Sequence, residues 1–174
     1  SKTTRGAPPM PDHPTPDFAA LPAQRRRMAT LLQALAPQEG YNLTVLPDVR
    51  FLRSNRPLSS VPVLYDPGIV IVCQGRKRGY FGGQTYVYDE RQCLVVSVPV
   101  PFTMETDASQ EEPLLAIYMH LDFKLAADLM LQIDQAGGFQ AAEPKGMLSS
   151  PMDAPLSASV LRFLEAMGLS LIHI

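Results

Sequence analysis

The sequence predicts a mainly β domain, an antiparallel barrel or jelly roll with helices on either side. Three observations carry this. Between residues 41 and 121 the apolar residues come in short alternating or continuous runs, cut by Gly and Pro turns. Inside that stretch, Gly82-Gly83 joins two Tyr-bearing runs, which is a hairpin signal. Before residue 36 and after residue 122 the apolar spacing changes to that of an amphipathic helix.

Residues 1–22 contain Pro8, Pro9, Pro11, Pro14, Pro16 and Pro22. Such a stretch buries too little apolar surface to order itself and is expected to be disordered. From residue 23, Met28, Leu31, Leu32 and Leu35 fall at i, i+3, i+4 and i+7, which predicts a helix ended by Pro37 and Gly40. Arg25-Arg26-Arg27 at its start reads as a phosphate patch or, more simply, as a solvated helix face, since no aromatic residues interleave. Tyr41, Leu43 and Val45 alternate, as do Val49 and Phe51, giving two short strands around Pro47-Asp48. A strand at 61–65 is closed by Asp66-Pro67-Gly68. The next, at 69–73, is apolar on both faces, as suits a buried strand.

Gln74-Gly75-Arg76-Lys77-Arg78-Gly79 reads as a basic turn with solvated charges, and Tyr80-Phe81 leads into the glycine pair. Strands follow at 85–88, 94–98 and 102–106 and, after Gln110-Glu111-Glu112-Pro113, at 114–121. Leu125, Leu129, Met130 and Ile133 then share a helical face, ended by Gly137-Gly138. A loop rich in Pro and Ser runs to Asp153, which is placed to cap a last helix with Pro155 in its first turn. That helix carries the apolar stripe Leu156, Val160, Phe163, Leu164 and Met167. A helix ending a chain with such a stripe is expected to pack against its copy in a second subunit or back on residues 125–133. The closing hexapeptide, residues 169–174 (LSLIHI), matches the translation of a transposase adapter and is expected to be non-native.

Bulk composition narrows the function. The formal net charge is −2 and the pI about 5.9, whereas a free-standing nucleic-acid binder is usually basic. Two cysteines, Cys73 and Cys93, do not make a disulfide framework and fit a reducing compartment. No apolar run reaches the length of a membrane span and the start of the chain lacks a signal-peptide core, so a soluble cytoplasmic domain is expected. No P-loop, dinucleotide fingerprint, GxSxG or HExxH motif occurs, and no enzyme is expected.

The candidate binding residues are the polar side chains on otherwise apolar strands: Tyr86, Tyr88, Ser97, Tyr118 and His120. On the last strand Ala116, Tyr118, His120 and Asp122 share one face, so Tyr118 and His120 either line a cavity or sit on a solvated sheet face. Cys73 and Cys93 read as buried small hydrophobes or, if exposed with a depressed pKa, as redox or electrophile sensors.

Several motifs occur in one order: Tyr65-Asp66-Pro67, the run 69–72, Gln74-Gly75-Arg76-Lys77, Gly82-Gly83, Tyr86-Val87-Tyr88-Asp89, the run 94–98 before Pro101, and Ala108-Ser109 with Glu111-Glu112-Pro113. Over residues 35–121 the chain resembles the N-terminal effector domain of AraC-type transcription regulators, and the following helices resemble it more loosely. The resemblance implies a cupin-like barrel over 23–122 that binds a small-molecule effector, and a helical segment over 123–168 used for homodimerisation. It also implies DNA contact through a C-terminal pair of helix-turn-helix motifs that these residues do not contain. The other reading is a stand-alone metal-free cupin enzyme or small-molecule-binding protein. A metal-binding cupin needs two His two residues apart on a strand, a Glu and a third His, and the stretch 75–98 contains no His. No metal or other cofactor is therefore expected.

Overall fold

The computed structural model describes residue 6 and residues 20–136 and 146–172. Most of the expected disordered N-terminus, the helix stop at Gly137-Gly138 and the final two residues lie outside the described residues. Helix α1 (Ala20–Leu35) comes first. Nine strands follow: β1 (Gly40–Leu43), β2 (Val49–Ser54), β3 (Leu58–Tyr65), β4 (Gly68–Gln74), β5 (Arg76–Phe81), β6 (Gln84–Asp89), β7 (Gln92–Val96), β8 (Val100–Asp107) and β9 (Leu114–His120). Then come α2 (Phe123–Ala136), β10 (Met147–Pro151) and α3 (Ala154–Ile172).

The mainly β expectation holds, with two strands that the sequence reading had as turn or loop. The basic stretch after Gly75 is strand β5, paired with β6 and β8 along its length. The Pro- and Ser-rich segment holds β10, which pairs with β7 from Met147 to Pro151. Helix α1 starts before residue 23 and takes Pro22 into its first turn, where a missing N–H breaks no helical bond. Asp153 caps α3 through Oδ1, which accepts from the Leu156 N–H at 2.9 Å, and Asp122 caps α2 by accepting from the Leu125 N–H at 2.7 Å.

All pairings are antiparallel, in the order β1-β2-β9-β4-β7-β6-β5-β8-β3, with β10 beside β7. The sheet curls into a half-barrel, and two glycine positions shape it. Gly82 and Gly83 have φ of +57° and +75° and form the two-residue turn between β5 and β6. Gly75, at φ +85°, turns β4 into β5 where an added Cβ would lie 3.1 Å from both the Asp107 carbonyl oxygen and Leu114 Cα.

Alternation divides the core in two. On the interior face of the sheet, Val70, Val72, Tyr88, Leu94, Val96, Phe102, Met104, Leu114, Ala116 and Met147 form one cluster. On the opposite face, Phe51, Ile71, Cys73, Cys93, Leu115 and Ile117 pack against α1 through Met28 and Leu32, and against α3 through Val160, Leu164 and Met167. Strand β4 is apolar on both sides because it serves both clusters: Val70 and Val72 face one, Ile71 and Cys73 the other.

Candidate functional site

The interior cluster contains polar groups that an apolar core does not need. Strand β5 alternates, so Arg76 and Tyr80 face solvent while Lys77 and Gly79 point inward. Gly79 leaves room there for Phe102, whose ring would lie 2.9 Å from a Cβ at that position. Lys77 is 2 % exposed. Its Nζ donates to Thr106 Oγ1 at 2.9 Å and to Met104 Sδ at 2.7 Å. No carboxylate among the described residues lies within ion-pair distance of it. Burial disfavours the charged form and pulls the amine from an ordinary 10.5 down to about 8.

Two phenols share this interior. Tyr65, at the end of β3, and Tyr88, on β6, share a hydrogen bond of 3.1 Å between their hydroxyls. The Tyr65 hydroxyl also lies 3.7 Å from Met104 Sδ. Burial raises the pKa of both, so they stay neutral donors at any physiological pH. The Tyr65 ring packs edge-on against Phe102 with centroids 4.9 Å apart, and lies 5.9 Å from the Tyr118 ring.

The sequence-derived candidates separate on this geometry. Tyr88 is wholly buried in the interior, while Tyr86 and Tyr118 are partly buried against it. The Tyr86 hydroxyl donates to Gln84 Oε1 at 3.2 Å, and that of Tyr118 to the Asp66 carbonyl at 2.8 Å. Burial pushes the Tyr118 phenol up to about 12. Ser97 is buried beyond the end of β7, where its N–H donates to the Gly146 carbonyl at 3.0 Å. His120 is a correction: it is exposed at the end of β9, so it does not line the interior. Lys77, Tyr65 and Thr106 were missed. The signal for Lys77 was strand alternation through Arg76-Lys77-Arg78, hidden because three basic residues in a row look solvated.

The cysteines follow the first of their two readings, as buried small hydrophobes, and not the sensor reading. Both are free and buried in the cluster under α1 and α3. Desolvation pushes Cys73 up to about 12 and Cys93 to about 11, against the direction that a reactive thiol requires. The α3 stripe is a second correction. Val160, Leu164 and Met167 are buried within the chain beside α1 and the sheet, with Leu156 and Phe163 partly buried there too. These residues are taken up by their own chain and not by α2.

A cleft lies on the other side of the sheet, at the ends of the strands. Pro22, Arg25, Arg26 and Ala29 of α1 form one wall; Cys73–Arg76, the β6–β7 turn and the loop after β8 form the other, around a cavity of about 760 Å³. Arg76 pairs with Asp89 at 3.4 Å. Asp107 is held by Arg78 at 2.7 Å, and those hydrogen bonds keep its carboxyl below the usual range. Among the described residues no three His, Cys, Asp or Glu side chains come together as a metal set, and no helix is long and apolar enough to cross a membrane.

The family described as AraC-type transcriptional regulator N-terminus matches residues 45–170, most of the chain. The chain belongs to this family. No curated protein sequence matches it. Among solved structures, the AraC-type domain is similar to unsaturated fatty acid-bound ToxT from Vibrio cholerae, with a TM-score of 0.45 and 9% identity over 75% of this chain and 49% of that one. A second ToxT crystal form gives a TM-score of 0.41 and 12% identity over 66% and 47%. A variant of salicylate 1,2-dioxygenase from Pseudoaminobacter salicylatoxidans, in complex with gentisate, gives 0.29 and 14% over 77% and 36%. The chain thus spans about half the length of the ToxT chains.

Proposed function

We propose that this AraC-type domain senses a small apolar carboxylic acid, held in the half-barrel interior with its carboxylate on Lys77. One observation carries this: an amine 2 % exposed, whose partners are a hydroxyl and a thioether. An ammonium in such surroundings is costly unless paired, and an acid supplies the missing charge. Tyr65 and Tyr88 supply neutral donors for the second carboxylate oxygen. Phe102, Met104 and Met147 surround the apolar remainder, and the unbranched methionines are able to repack to make room. Tyr86 and Tyr118 border the same cluster.

The reading makes the chain a binding module and not an enzyme. In the whole regulator the bound effector would set DNA contact by another segment inside the cell, and a homodimer would meet on surfaces other than the α3 stripe. The test is a thermal-shift series of straight-chain monocarboxylic acids from acetate to decanoate, each beside its primary amide, on the wild type and Lys77→Met. The acids raise the wild-type Tm with an optimum length, the amides do not, and K77M loses the response. Absence of stabilisation by any acid, or an equal response in K77M, overturns the reading.

A further inference from the structure

We propose that the cleft between α1 and the strand ends is a second ligand site, separate from the interior, for a small molecule bearing two or more oxyanion groups. The residues lining the cavity of about 760 Å³ include four arginines, two from α1 (Arg25, Arg26) and two from the strand ends (Arg76, Arg91). Two of the four carboxylates lining it, Asp89 and Asp107, are engaged. Asp89 holds Arg76 at 3.4 Å and accepts from the Arg91 N–H at 2.9 Å. Asp107 receives both arms of Arg78, at 2.7 and 3.0 Å.

Arg25, Arg26 and Arg91 remain, with no ion pair within 4.0 Å among the described residues. Glu90 and Glu112 also line the cavity, both exposed, and neither reaches a guanidinium. Arg25 Nε is shielded from solvent and has no acceptor among the described residues. A charged donor buried in this way is unfavourable until an acceptor arrives. The chain's own carboxylates across the cavity do not supply one. The forks of the lining guanidinium groups match an oxyanion with two parallel hydrogen bonds, and Arg25 Nε gains an acceptor once its side chain turns toward the cavity. A multivalent anion spans the two walls and joins Arg25 and Arg26 to Arg91.

The position of the site gives it a consequence. The anion would tie α1 to the strand ends, and α1 packs on α3 through the cluster of Met28, Leu32, Leu164 and Met167, with Arg27 and Glu165 3.8 Å apart at the surface. Occupancy at one end of α1 is therefore felt along α3.

The experiment is isothermal titration calorimetry of the full 174-residue chain with inorganic pyrophosphate and, separately, citrate. Saturable binding of at least one probe is expected, weakened about tenfold or more by Arg25→Gln and by Arg91→Gln, the loss of one charge-assisted hydrogen bond. Binding of pyrophosphate alone assigns a phosphorylated ligand; binding of citrate alone assigns a polycarboxylate. Arg91 is exposed in a turn, so R91Q reads the site even where R25Q fails to fold. Lys77→Met binds the probe as the wild type does. No saturable binding of either probe, wild-type affinity in R91Q, or loss of binding in K77M overturns the proposal.

Discussion

Lys77 carries a charge that the interior does not balance, so its protonation is coupled to folding. Its folded pKa, about 8, lies below the ordinary 10.5. Below about 8 both folded and unfolded chains hold the proton, and the folded chain carries the full cost of burying it. Between about 8 and 10.5 the unfolded chain binds more protons than the folded one, so this residue's contribution to stability rises with pH. The cysteines act in the opposite sense above their ordinary 9.0, because their thiols are raised in the fold. The contribution is therefore read as a difference between two proteins. Lys77→Met is expected to be more stable than the wild type at pH 7 by roughly 1–3 kcal/mol, the upper end being the pKa shift at about 1.4 kcal/mol per unit and the lower allowing for Thr106 losing its donor. That advantage shrinks as the pH is raised through 8 toward 10. Urea denaturation of both proteins across this range checks it, and a constant or growing difference contradicts it.

At the level of elements, α3 shows how a correct pattern was assigned to the wrong partner. The spacing of Val160, Leu164 and Met167 fixes a helix with one buried face but says nothing about what covers it; α1, over a hundred residues earlier, does. Leu164 is 0 % exposed, so Leu164→Ala is expected to cost about 2–5 kcal/mol. Because the stripe is buried within one chain, the loss is the same at any protein concentration. A wild-type Tm that rises with concentration, with L164A removing that dependence, returns the stripe to a dimer interface.

Strand β4 was legible because IVIVC is apolar on both faces wherever it pairs, and the β5–β6 hairpin was half legible because Gly82-Gly83 allows few turns. Strand β5 itself was not. Its inward residues are a lysine and a glycine, and only pairing with Tyr88 and Thr106 makes Lys77 an interior residue. Strand β10 was hidden for a similar reason: the burial of Met147 comes from the sheet and not from its own short, Ser-rich run. The site followed the fold. Tyr88 could be picked as polar within an apolar strand, but Tyr65 looked like a strand end beside a turn, and His120 failed because it is the last residue of β9 and is exposed there.

The whole molecule is a half-barrel with a polar spot inside and two helices behind. Strands β4 and β9 connect the sides, since neighbouring residues on each face opposite clusters. On the proposed function, a ligand that moves Val72 or Ala116 in the interior would press on Ile71 or Ile117 against α1 and α3, a route from ligand to helix. The proposed route begins at Lys77, so its amine is the group to watch. The direct measurement is an NMR pH titration of the full chain with carbon-13 at the lysine Cε, the Lys77 signal being the one absent from K77M. A midpoint near 8 is expected in the free protein, moving upward past 10.5 when a stabilising acid is bound. A midpoint at 10.5 in the free protein, unmoved by any acid, would contradict it.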